Sequence, residues 1–88
     1  MPHILPYEKK RTEDSLIEEI QTLYLSAENK IKHLEVVSRE MCVPSINELR
    51  YAGNHLLKAL TSYSNDAKNE HLSKAKSHCK RAIYDAVN

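Results

Sequence analysis

Apolar residues recur along this chain at three- and four-residue steps, the spacing that gathers side chains on one side of an α-helix. Leu16, Ile20, Leu23, Ala27, Ile31, Leu34 and Met41 form the first such stripe. Thr12 is placed to cap it, with Glu13 and Asp14 in the positive first turn. The stripe predicts one amphipathic helix of about 28 residues, roughly 42 Å long. Pro2 and Pro6 predict an extended segment over residues 1–11 ahead of it. Cys42-Val43-Pro44 ends it, because proline disfavours helical geometry at the preceding residue.

Ser45-Ile46-Asn47-Glu48 reads as a capping box, with Ser at the cap and Glu three residues later. The helix it opens runs to about Thr61, with Ile46, Leu49, Gly53, Leu56 and Leu60 facing inward. Gly53 costs about 1 kcal/mol against Ala in a helix interior. Close approach of a neighbouring helix is the expected reason; a backbone opened for a ligand is the alternative. Tyr63-Ser64-Asn65-Asp66 forms the next connection, with Asn65 or Asp66 as cap. Leu72, Ala75, Cys79, Ala82 and Ala86 then line one face of a third helix.

Short links between consecutive helices imply antiparallel neighbours. The expected fold is all-α: an antiparallel up-down-up three-helix bundle over residues 12–88, one domain that could belong to a longer protein. Its first helix outruns both partners, so part of its apolar stripe needs another cover. A homodimer is the economical expectation.

Composition narrows the class rather than the function. The 88 residues are 41% hydrophobic and 28% charged, with one Gly and no Trp or Phe, which suits a helical domain. No apolar run approaches the roughly 20 residues that span a bilayer. Cys42 and Cys79 lack a paired spacing, so reduced thiols and a cytoplasmic location are expected. Net charge is only +1, yet residues 1–44 carry −2 and residues 45–88 carry +3. The basic excess falls on the half that holds the candidate chemistry.

That chemistry centres on Arg50 and His55. Arginine clamps phosphate oxygens with a permanent charge, and histidine exchanges a proton near neutrality. On a regular helix the two lie about 140° apart, so they converge only by a long reach or through a second subunit. A second feature is the stripe His71, Lys74, His78 and Arg81, which could track an RNA backbone, or be a solvated face with Asp85 neutralising Arg81. Tyr51 and Asn54, beside the Arg–His pair, join Lys74, His78 and Arg81 as expected RNA contacts. No metal or other cofactor is expected: His71 and His78 are roughly 10 Å apart along their helix, too far to share an ion. Cys79 falls on an apolar stripe and reads as core rather than nucleophile.

The segment Glu48-Leu49-Arg50-Tyr51-Ala52-Gly53-Asn54-His55, after a long helix and before NEHLSKAKSHCKRAIYDA, resembles the HEPN family. That family's hallmark is Arg, four to six residues, then His in an all-helical bundle, and the resemblance spans roughly residues 12–87. It implies a metal-independent endoribonuclease of toxin or antiviral-defence type, acting as a homodimer in which the Arg and His of both subunits line one cleft. Arg50 would then hold the scissile phosphate, His55 would move a proton, and a cyclic phosphate would result. An antitoxin or other protein partner is a further implication. The chain departs from the pattern in Tyr51, where active members commonly carry a polar residue, and in lacking an evident fourth helix. A non-catalytic dimerisation or interaction module is the alternative.

Overall fold

A computed structural model describes the backbone of residues 6–87 and the side chains of residues 14–86. Three helices account for nearly all of it: α1 (Pro6–Ser38), α2 (Val43–Thr61) and α3 (Asn65–Val87). The all-α three-helix bundle expected from periodicity is the observed fold.

The helix ends differ from the sequence reading. The extended segment expected over residues 1–11 lies partly outside the described residues, and from Pro6 onward the chain is already helical. Proline suits a first helical position, where its fixed φ is helical and its missing N–H has no partner to lose. α1 closes at Ser38, short of Met41, because Arg39 turns into the left-handed region at φ 62°. Its amide still reaches the Glu35 carbonyl at 2.7 Å, while the Ser38 hydroxyl donates to the Leu34 carbonyl. Pro44 therefore does not end α1; it stands in the first turn of α2.

This shift relocates Ser45. It is not a cap but a fully buried helical residue, whose hydroxyl donates to the Ala82 carbonyl of α3 at 2.9 Å. The cap position belongs to Cys42, which makes no side-chain capping bond. Glu48, released from the expected capping box, points instead to α3. At the other connection Ser64, not Asn65 or Asp66, is the cap, accepting the Ala67 amide at 3.1 Å.

α3 is the centre of the molecule. It packs along both α2 and α1, whereas α1 and α2 scarcely touch. All five residues of its expected stripe, Leu72, Ala75, Cys79, Ala82 and Ala86, are buried. Against them lie Ile20, Ala27 and Ile31 of α1, and Ser45, Leu49, Ala52 and Ala59 of α2. The small side chains along α2 and α3 let those two helices approach closely. Leu60 is a correction: it is 73% exposed rather than facing inward, in a bundle whose α1 and α2 scarcely touch. Gly53 is another, since a Cβ built there would meet nothing within 4 Å. No described neighbour within the chain demands a glycine at that position.

Candidate functional site: an imidazole cleft between α2 and α3

The register of α2 against α3 brings together residues far apart in sequence. His55 of α2 lies between His71 and His78 of α3. Its ring centroid is 5.3 Å from each, at 28° to His71 and 9° to His78. Tyr51, one turn earlier on α2, continues the column with its ring 5.4 Å from His78. Four rings thus alternate between two helices, as side chains at i and i+4 or i and i+7 on facing surfaces can do.

Two hydrogen bonds fix this column. His78 Nδ1 lies 2.6 Å from Glu48 Oε2, a charge-assisted distance that makes Nδ1 the protonated nitrogen. His55 Nδ1 lies 3.1 Å from His71 Nδ1, so one ring donates and the other accepts. In both His55 and His78, Nε2 is the nitrogen left for another partner. A carboxylate orienting a histidine from behind, as Glu48 does here, sets which nitrogen meets a ligand.

Burial lowers the His55 pKa below its ordinary value, and the neighbouring His78, His71, Lys58 and Lys74 lower it further. His55 is therefore neutral at pH 7, in the form that accepts a proton. The sign of the linked stability follows. The unfolded chain takes up this proton near pH 6.5, before the folded chain does, so folding loses stability as pH falls from there towards the lowered value. A thermal midpoint that drops between pH 7.5 and 5 is expected, followed by circular dichroism. His55→Gln should flatten that slope; an unchanged slope would assign the acid sensitivity to other groups.

His55 and His78 open onto a cleft of about 680 Å³, lined also by Glu70, Ser73, Lys74, Ser77 and Arg81. Lys74 holds Glu70 at 3.1 Å, and this hydrogen bond keeps the Glu70 carboxyl below its usual range. Arg81 is exposed on the rim and, among the described residues, makes no ion pair with Asp85, while Ser73, Lys74 and Ser77 beside it are exposed as the solvated-face alternative expects. Two cations, two imidazoles and two hydroxyls converge there, against one carboxylate.

The sequence-derived site residues divide between two surfaces. His55, Lys74, His78 and Arg81 share the α2–α3 cleft. Arg50 does not: it is exposed and lines a separate, smaller depression of about 300 Å³ with Asn47, Tyr51 and Asn54. Within one chain the Arg50–His55 pair stays apart, as the helical angle requires. Tyr51 alone connects the two surfaces, through its ring contact with His78. Sequence reasoning places His71 on the α3 stripe and Glu48 in a capping box, and anticipates neither the Glu48–His78 contact nor the His55–His71 contact. Their partners lie 30 and 16 positions away along the chain, and only packing pairs them.

Cys79 is fully buried, and burial pushes its thiol up to about 11, which leaves it protonated and inert. Among the described residues, no group of three or more His, Cys, Asp or Glu side chains is arranged to hold a metal ion. No described helix is long and apolar enough to cross a membrane.

Fold and cleft together define a class: a small three-helix bundle with a cationic, histidine-rich seam. No protein-family model, curated protein or solved structure matches the chain.

Proposed function

We propose that this chain is an RNA-targeting, HEPN-like module that cleaves RNA without a metal and acts as a homodimer. The observation that carries this reading is the meeting of His55 and His78 with Lys74 and Arg81 in one cleft. Two imidazoles with a nitrogen each to spare supply a base and an acid, and the two cations hold the phosphate between them.

In this mechanism neutral His55 removes the proton of an RNA 2′-hydroxyl. The 2′-oxygen attacks the adjacent phosphorus, and the P–O5′ bond breaks as the P–O2′ bond forms. His78, when protonated, gives a proton to the departing 5′-oxygen. The products are a 2′,3′-cyclic phosphate and a 5′-hydroxyl. Lys74 and Arg81 stabilise the extra charge that builds on the phosphoryl oxygens. Lys74 must leave Glu70 in part to do so, and an exposed pair of this kind holds weakly.

The test is cleavage of single-stranded RNA in EDTA. Wild-type protein should yield cyclic-phosphate ends, and His55→Ala should lose roughly 10²- to 10⁴-fold in rate, the usual share of a general base. Equal rates for the two proteins would remove His55 from the chemistry.

A second reading, an interaction module without catalysis, is favoured by the unclosed seam between α1 and α2. Its mark would be RNA binding or self-association with no cleavage products at any pH.

A further inference from the structure

His71 is the one histidine of the ring column to which the proposed mechanism gives no task. It stands outside the lining of the cleft, packed against the ring of His55. The facing Nδ1 atoms are 3.1 Å apart and the ring centroids 5.3 Å. The difference is close to two imidazole radii, so the rings meet almost head-on, nitrogen to nitrogen. A line through both centroids and both nitrogens lies in both ring planes, where the N–H of one ring and the lone pair of the other point. A shared metal ion needs about 2 Å to each nitrogen. A straight gap of 3.1 Å is too short for that, and it fits one proton.

Two neutral rings can share that proton in two ways, which differ at the far nitrogens. If His55 donates, its Nε2 is a bare acceptor and His71 carries Nε2–H. If His71 donates, His55 carries Nε2–H and presents a donor to the cleft.

The surrounding charges decide between them. His55 lies in the field of Lys74 and shares its cleft with Lys74 and Arg81. Cations there favour a lone pair, not a proton, on the nitrogen that faces them. His71 lies in the field of the Glu70 carboxylate, which favours an N–H on its outer edge. Glu70 and Lys74 are themselves an ion pair at 3.1 Å. Its negative end acts on His71 and its positive end on His55, so the pair polarises the two rings in one sense. Both fields put the shared proton on His55 Nδ1.

We propose that His71 is a positioning residue for His55: it accepts the Nδ1–H, holds the ring in that tautomer, and leaves Nε2 bare towards the cleft as the atom that takes the proton of the RNA 2′-hydroxyl. What Nε2 does rests on the proposed ribonuclease reading; the bond and the tautomer do not. Glu48 fixes Nδ1 of His78 with a carboxylate. An uncharged ring behind His55 fixes the tautomer without the negative charge that would favour a second proton there.

Two-bond proton–nitrogen NMR spectra of histidine-labelled protein, at about pH 8, read which nitrogen of each ring is protonated. Wild-type protein should show Nδ1–H on His55 and Nε2–H on His71. His71→Asn can set an amide oxygen where the acceptor nitrogen stood, and should keep His55 as Nδ1–H. His71→Leu removes the acceptor, and the His55 proton should pass largely to Nε2. With RNA in EDTA, His71→Leu should lower kcat about 10- to 100-fold, the usual cost of losing an orienting partner. Its KM should change by less than about threefold, and His71→Asn should recover all but about threefold of the rate. Circular dichroism checks the fold of both variants, and the wild-type and His71→Asn spectra decide the matter if His71→Leu does not fold. A wild-type His55 carrying Nε2–H overturns the proposal. So does a folded His71→Leu that keeps the tautomer or, in a protein that cleaves, the wild-type rate. If the wild type cleaves no RNA while His71→Leu still moves the His55 proton, the ribonuclease reading falls and His71 remains the residue that sets the tautomer.

Discussion

Replacing Leu72 by Ala is expected to destabilise the bundle by about 2–5 kcal/mol, lowering the thermal midpoint by at least ~10 °C. Leu72 is 2% exposed and sits near the start of the helix that both others pack on. Its removal leaves a cavity that neither α1 nor α2 can close without shifting against α3. A chain of 88 residues has only about 4–13 kcal/mol of total stability, so the loss is a large fraction of the whole. Met41→Ala is the contrast. Met41 continues the apolar period of α1 but lies beyond its end and is 70% exposed. Its truncation should change stability by less than about 0.5 kcal/mol. Thermal melts of the two variants at one pH decide the point. Equal effects would contradict the central position of α3.

The contrast between these residues shows what periodicity carries. The α3 stripe is legible in full because α3 is covered on both sides, so its apolar face is wide and its small residues fall on the period. The inward face of α2 is legible only in part. Ala52 and Ala59 are buried but give little hydrophobic signal, while Leu60 gives a strong signal and is exposed. Periodicity reports which residues share a side; it does not report which helix lies across. Ser45 misleads for a related reason. A small polar residue just after proline looks like a cap, and only the approach of Ala82 from α3 explains its burial.

The candidate site is legible as a set of residue types and not as a set of neighbours. The 140° between Arg50 and His55 follows from helical geometry alone, and the structure keeps them on different surfaces. The stripe His71, Lys74, His78 and Arg81 is legible as a stripe. What no pattern within one helix can supply is the register that sets His55 between His71 and His78, and Glu48 behind His78.

That register makes Arg81, rather than Arg50, the arginine whose removal should matter most for RNA cleavage. Arg81→Gln is expected to lower the rate by about 10-fold and up to about 10², the upper figure being the effect of removing a donor held against a developing oxyanion and the lower one reflecting the exposure of Arg81. Arg50→Gln should change it by less than about threefold, since a residue outside the reacting cleft adds only part of a binding term. Gln keeps hydrogen-bonding capacity, so the comparison isolates the charge and the fork geometry of the guanidinium. Salt supplies an independent readout. Removing one arginine–phosphate pair makes the slope of log binding constant against log salt shallower by about 0.7 for a single strand. Arg81→Gln should show that reduction and Arg50→Gln should not. The reverse ranking would place the RNA, and the scissile phosphate with it, on the Arg50 face rather than in the α2–α3 seam.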